Sequence, residues 1–187
     1  MTKIAIWCRH TQDNIIGIGP NIPWHVSSDF KRFKRLTTGH HLVAGQTTYE
    51  SFPNRTLPNR FLHVLTFDKN YQVADSENHF VHFNVHDFDD FSDTLFIVGG
   101  ASIYKLFMSD KTTLPEVIID SEYLPDLPTN LSGEPVHITS CIDIMKTEYE
   151  CVSTPYELDN IITTVWVKKG IKIPDIIPSF LEKINQQ

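Results

Sequence analysis

Cysteine is scarce in this chain, and the three present, Cys8, Cys141 and Cys151, are an odd number with no CxxC pair. Neither a disulfide framework nor a thiolate zinc site is suggested, and small buried thiols are the simpler reading. Long apolar runs are missing too. No stretch approaches the roughly 18 to 20 apolar residues of a membrane span. Met1 to Cys8 is a short strand-like run without a charged leader or cleavage site, so a cytoplasmic chain with no membrane partner is expected. Positive charge also falls short. The 16 Lys and Arg against 23 Asp and Glu give a net charge of -7, which argues against nucleic acid as the main partner. HExxH, GxSxG and GxGxxG are absent, and no Ser or Cys adjoins a convincing base. Zinc hydrolysis, covalent acyl transfer and an ordinary Rossmann domain are thereby disfavoured.

What is there is a chain of 187 residues, 41% hydrophobic and 21% charged, long enough for one well-buried core and too short to require two domains. IAIWC (residues 4–8) reads as a buried strand. The polar, Gly/Pro-containing loop that follows it, HTQDNIIGIGPNIPW, is long enough to suggest a function. A helix is predicted from Ser27 to Leu36, then a strand HLVAG ending at Gly45, then a second helix opening at Gln46 to Thr48. FLHVLTF, HFVHF, TLFIVGG and PEVIIDSEY read as further strands, with a helix ASIYKLFM after the third. This alternation implies βαβ units and an α/β fold with a largely parallel sheet covered on both faces. MKTEYECVST and NIITTVWVKK read as two strands joined by a loop, an antiparallel edge. The tail GIKIPDIIPSFLEKINQQ carries two prolines and one brief amphipathic stretch, which leaves docking, partner contact and free solvation all open.

Trp24 and Asp29, in IPWHVSSDFKRF, place one carboxylate at the apolar start of a predicted helix. Flanked by Phe30 and Phe33, such an acid is desolvated, and its pKa rises toward values useful for moving protons. Ser27, Ser28 and Asp29 are also residue types that cap helices, so this segment alone reads more simply as a helix start. Lys31, Arg32, Lys34 and Arg35 form a basic run, either an attractor for a small anion or a solvated helix face. VAGQTTYESF and IVGGASIYKLF each deliver a strand to a helix N-terminus through small residues. Backbone N–H groups there attract phosphate, and glycine permits its close approach. Two such turns suit a pyrophosphate, although either alone can be a steric device. Arg60, between a proline turn and a strand, is placed to fork onto a carboxylate or to lie on the surface. His40 and His41 point to opposite faces of a strand, and no metal site is expected.

Taken in order, IGIGPNIPWHVSSDFKRFKRLTTGH, LVAGQTTYESF, LPNRFLHVLT and IVGGASIYKLF resemble dihydrofolate reductase over about residues 4 to 168. Each motif is weak alone; four in the proper order and spacing are strong. The resemblance implies a domain over residues 1–169 with a central eight-stranded, mostly parallel sheet, an antiparallel C-terminal edge and about four helices. Residues 170–187 would extend it. It also implies reduction of 7,8-dihydrofolate to tetrahydrofolate with NADPH, by a chain acting alone. Asp29 would bond the pterin and support protonation of N5, with Trp24 beside it. Ile6, Cys8, Phe30, Phe33, Phe52, Leu57 and Val98 would line the substrate pocket, and Arg60 would clasp the glutamate α-carboxylate. Ile16, Gly17 and the segment to Ile22 match a loop that closes over the nicotinamide, which Cys8, Val98 and Tyr104 also border. Gly45, Gln46, Thr47, Thr48, Thr66, Gly99, Gly100, Ala101, Ser102 and Ile103 would surround the rest of the cofactor.

The chain departs from the family in places. Gln46 stands where an arginine commonly holds the adenosine 2′-phosphate, and Phe67 and Asp68 stand where polar or basic residues commonly do. Use of NADH beside NADPH is therefore open, unless Lys69 or His63 compensates. In PEVIIDSE, Val117 or Ile118 replaces a threonine whose hydroxyl bonds the acid, and loss of that donor is expected to raise the acid's pKa. Two rival readings stand beside this one. The riboflavin-pathway pyrimidine reductase shares the fold, but the Trp24 to Asp29 spacing and LPNR speak for the folate enzyme. A non-catalytic binding or assembly module is hard to square with an intact acid and arginine together.

Overall fold

The computed structural model describes residues 2–185, so Met1, Gln186 and Gln187 of the expected domain and extension lie outside it. At its centre is β1 (Lys3–His10), buried along nearly its whole length. A strand covered on both faces is apolar in a run rather than in alternation, as IAIWC is. It pairs in parallel with β6 (Leu95–Ile97) on one side and β7 (Val117–Tyr123) on the other. Beyond β6 come β3 (His41–Gly45), β4 (Phe61–Leu65) and β5 (His79–His82), all parallel. Beyond β7, β11 (Ile161–Lys168) runs antiparallel, and its outer side is shared by β9 (Tyr149–Cys151) and β10 (Tyr156–Leu158). The mostly parallel sheet with an antiparallel C-terminal edge is as expected. Its strands number nine rather than eight because the edge breaks between Cys151 and Tyr156.

The helices are α1 (Ser27–Thr37), α2 (Gln46–Ser51), α3 (Ala101–Met108), α4 (Thr139–Glu148) and α5 (Ile177–Asn185). One core contains Trp7, Val43, Ile97, Phe107, Ile118 and Met145, on the face of α3 and α4; the other contains Ile4, Ile6, Leu36, Leu42, Ile119 and Phe180, on the face of α1 and α5.

Three expectations change. The run expected to be a strand from Met145 begins as the end of α4, because Cys141, Ile142 and Met145 recur at helical spacing toward the core. The segment read as a long loop contains β2 (Ile15–Ile18), which pairs with β8 (Pro135–His137) in a separate antiparallel sheet. The tail forms a fifth helix. Its Ile177, Phe180 and Ile184 fall on one stripe and enter the second core, and Pro178 is tolerated because it sits in the first turn. The Phe180 ring lies 5.7 Å from that of Phe96 and 6.3 Å from that of His40.

Phe180 is 1% exposed, so Phe180→Ala is expected to cost about 3 to 5 kcal/mol of stability. Urea unfolding measures this; a loss below about 0.5 kcal/mol, the scale of a surface change, would mark the tail as an appendage.

Candidate functional site

Two glycine turns meet at the C-terminal ends of β3 and β6. The N–H of Gly45 donates to the carbonyl of Gly99 at 2.8 Å. A Cβ on Gly45 would stand 2.9 Å from Cγ1 of Ile103, and one on Gly99 would stand 3.0 Å from the Tyr104 ring. Gly99 has φ +104, which L residues rarely adopt. α2 starts directly after Gly45 and α3 directly after Gly100, and no side chain caps either start. Uncapped helix donors and bare backbone thus converge on one place, as an anionic group requires. Thr47 and Ser102 are exposed there, with Gln46, Thr48 and Ala101 partly so, whereas Ile103 and Tyr104 are buried beneath. The Tyr104 hydroxyl donates to the carbonyl of Ile6 at 2.6 Å, and its ring meets that of Trp7 edge-on at 5.2 Å. Burial pushes the Tyr104 hydroxyl far above its ordinary pKa.

Beyond Ile6 lies the acid. α1 is entered through Val26 with no side-chain cap, and Ser28 Oγ has no partner among the described residues, so the serines and Asp29 are not spent on capping. Asp29 sits in the first turn with its side chain 21% exposed. Burial raises its pKa above the ordinary carboxylate value, and Arg32 partly opposes that rise. Phe33 is half-buried beside it, but Phe30 is 42% exposed, so only one of the two expected rings screens the acid. The Cys8 thiol is pushed well above its usual pKa, first by burial and then by Asp29 and Asp120.

Arg32 was read within a basic run that either attracts a small anion or forms a solvated helix face; it is 2% exposed, which rules out the solvated face for this residue. Its Nη1 lies 3.5 Å from Asp29 Oδ1 and donates to Thr163 Oγ1 at 2.6 Å. Nε and Nη2 have no acceptor among the described residues. A sequence signal existed: Asp29, Arg32, Phe33 and Leu36 recur at i, i+3, i+4 and i+7, the stripe of a helix face turned inward. The expected change at Val117 or Ile118 is also corrected. The β1–β7 register pairs Val117 with Ile4 and Ile118 with Ala5, both deep in the core, and sets Ser121 opposite Cys8. Ser121 and Thr163 share a hydrogen bond at 2.9 Å. Hydroxyls therefore do stand on this face, and they reach the acid through Arg32.

A cleft of about 450 Å³ opens beside Trp24 and is lined by Pro20, Ile22, His25, Phe30 and Ser51 among others. Trp24 is buried and stacks on Tyr123 at 4.8 Å. Phe52, Leu57 and Val98 pack against the α1 core. Ile16 and Gly17, expected in a closing loop, are held in β2, and Ile22 is exposed beyond them. Arg60 is 6% exposed and donates only to neutral acceptors: Thr37 Oγ1 at 3.2 Å, Pro58 O at 2.8 Å and Lys34 O at 3.4 Å. These bonds aim the guanidinium and leave its charge unneutralised.

On the far side of the glycine turns, Thr66 Oγ1 donates to Gln46 Oε1 at 2.9 Å, and Phe67 is 90% exposed. His63 cannot supply a positive charge there. It is buried between His41 and His82, 2.9 Å from each, and its pKa is pushed down to about 3 by burial and then by those two rings.

A dihydrofolate reductase family model matches residues 3–131. A dihydrofolate reductase of Staphylococcus aureus strain Mu50 is 31% identical over 123 residues, 66% of this chain and 75% of that protein. A dihydrofolate reductase type 1 of Escherichia coli is 30% identical over 137 residues, 68% of this chain and 85% of that protein. Among solved structures, dihydrofolate reductase from Enterococcus faecalis complexed with NADP(H) and RAB-propyl superposes with a TM-score of 0.73. It is 25% identical and covers 90% of this chain and 96% of its own.

Strain at the first glycine of the second turn can be measured directly. Gly99→Ala is expected to lose about 1 to 3 kcal/mol. Gly100→Ala should lose clearly less, because Gly100 has φ -70 and a Cβ there would meet only Thr48 Oγ1, at 3.2 Å. Equal losses for the two variants on thermal unfolding would refute the assignment.

Proposed function

The chain belongs to the dihydrofolate reductase family, and from that premise we propose which of its residues carry the reduction of 7,8-dihydrofolate to tetrahydrofolate with NADPH. The observation on which the assignment rests is a single carboxyl group, Asp29, desolvated at the head of α1 and joined through Cys8, Ile6 and Tyr104 to the place where the glycine turns meet. The residues present fit the cofactor: Gly45 and Gly99 keep clear the space that a Cβ would fill, and the uncapped starts of α2 and α3 face an anion. NADPH, when bound, supplies the hydride. The protein's own tasks are orientation, proton supply and exclusion of water.

Asp29 bonds the pterin amino group and ring nitrogen and supports protonation of N5. Its raised pKa keeps the proton available at higher pH than an ordinary carboxyl group would. The Cys8 thiol, held neutral, presents an uncharged wall, and Trp24, Phe33, Phe52 and Leu57 keep water from the ring. Arg60, pre-aimed by three bonds to neutral groups, binds the glutamate α-carboxylate. Gln46, Thr48, Ala101 and Ser102 surround the cofactor phosphates. The chain is read as acting alone, and all three cysteines are free, which supports the reducing cytoplasm. Residues 170–185 are read as part of the same domain because α5 completes its core. Among the described residues no helix is long and apolar enough to cross a membrane.

Asp29→Asn is expected to lower the turnover of dihydrofolate about 10²- to 10⁴-fold at neutral pH, with NADPH binding retained. In the parent enzyme the hydride step should fall as pH rises through the acid's raised pKa, because the proton is lost. The deficit of the variant should shrink toward low pH, where solvent supplies the proton. Nicotinamide absorbance follows both; unchanged turnover in the variant would remove Asp29 from the reaction, and no turnover in the parent would return the chain to the binding-module reading.

Cofactor choice is a separate test. With Gln46, Phe67 and Asp68 at the 2′-phosphate end, NADPH should lead NADH in kcat/KM by about tenfold or less, below the roughly 1.5 to 3 kcal/mol of one charge-assisted contact. A far larger lead that survives Lys69→Ala would overturn this.

A further inference from the structure

Arg32 has no part in the reaction as described so far, yet it is among the largest side chains buried in the protein. A guanidinium removed from water is strongly disfavoured unless a counter-charge faces it, and it does not discharge itself by losing a proton. Among the described residues the one carboxylate that forms an ion pair with Arg32 is Asp29, at 3.5 Å. Its short bond goes to a neutral hydroxyl, Thr163 Oγ1 at 2.6 Å, itself fixed by Ser121 at 2.9 Å. The hydroxyl pair holds the guanidinium from the sheet side, and the three-residue spacing on α1 holds it from the helix side. Among the described residues, Asp29 is thus the one acid that pairs with its charge.

We propose that Arg32 is a positioning residue that sets the pH range of the reduction, by drawing Asp29 toward its ionised form so that the acid yields its proton instead of retaining it. This rests on the reading of Asp29 as the group that supports N5 protonation. The other groups around the pair do not substitute for it. On α1, Arg35 faces Arg32 and repels it. From β1, Cys8 lies against Asp29 as a neutral thiol. From β7, Asp120 acts on Cys8, but its charge is met by Arg9 at 2.9 Å. From β10, the Tyr156 ring stands 5.9 Å from the Arg32 carbon. Removing the positive charge therefore raises the pKa of Asp29, and a donor with a higher pKa remains protonated to higher pH.

The test titrates Asp29 by carboxyl ¹³C NMR in the wild type and in Arg32→Gln, Arg32→Leu and Arg32→Lys, with Asp29→Asn identifying the signal. The rate of a single hydride transfer from NADPH to dihydrofolate is followed over the same pH range. In either neutral variant that folds, the Asp29 midpoint and the fall of the hydride rate should both move up by about 1 to 3 pH units. In Arg32→Lys both should stay at the wild-type value. A merely structural role would lower the rate at all pH values and leave the midpoints alone. An Asp29 midpoint that is the same with and without the charge overturns the proposal whatever the kinetics. A wild type that titrates as expected but transfers no hydride would instead overturn the functional reading.

Discussion

Alternation along one strand governs everything else in this protein. β1 lies between two parallel neighbours, so its odd and even side chains leave on opposite faces: Ala5 and Trp7 toward α3 and α4, Ile4 and Ile6 toward α1 and α5. A slip of one residue would exchange the two sets. Trp7 would turn toward α1 and α5, and Cys8 away from them. The register is pinned from β7, by Trp7 Nε1 donating to Asp120 Oδ1 at 2.7 Å, and from α3, by Tyr104 donating to the backbone of Ile6 at 2.6 Å. The second of these bonds also joins the cofactor turn to the strand that faces the acid, so the two halves of the site are positioned by the same peptide group.

Each face of the sheet carries a carboxylate against a guanidinium, and the contrast between them separates structure from chemistry. Asp120 receives Arg9 Nε and Nη2, both at 2.9 Å, as well as the Trp7 indole, and its side chain is 1% exposed. Both of its oxygens accept, and removing one partner of such a buried pair costs about 3 to 5 kcal/mol. Asp29 meets Arg32 through one contact of 3.5 Å, and its side chain is 21% exposed. It keeps capacity to bond a ligand, and its proton can be exchanged. The first pair is closed on itself and fixes the fold, whereas the second keeps bonding capacity free.

Where the chemistry is local, it was legible in the sequence. A strand that ends in glycine and runs into a helix announces an anion cradle, and a lone aspartate after Trp24 announces an acid, because both depend on neighbours a few residues away. Arg60 was named from the turn beside it, but two of its partners, Thr37 and Lys34, lie 23 and 26 residues away. Arg32 was hidden by its surroundings: in KRFKR the composition reads as solvated, and only the helical stripe through Asp29, Phe33 and Leu36 turns it inward. Val117 and Ile118 were misplaced because the pairing of β1 with β7 joins residues 113 positions apart, as Trp7 and Asp120 are. His63 looked available as a charge because the partners that keep it neutral, His41 and His82, lie on neighbouring strands 22 and 19 residues away. β2 was read as loop and β8 was not assigned, because each is short and finds its partner only in the folded chain.

α1 sets the length of the site. The acid sits in its first turn, and at its other end Thr37 Oγ1 and the Lys34 carbonyl hold Arg60. At 1.5 Å per residue, the eight steps from Asp29 to Thr37 span about 12 Å, a separation suited to a substrate with a pterin at one end and a carboxylate at the other. Eleven residues cannot keep that spacing alone, since a helix so short is marginal in water. Its buried Leu36 shares a core with Phe180 and Ile184 of α5, and Arg35 Nε donates to the carbonyl of Lys183 at 3.3 Å. The sheet fixes α1 from beneath and the C-terminal helix braces it from the side. The tail thereby acts at a distance on the interval between Asp29 and Arg60.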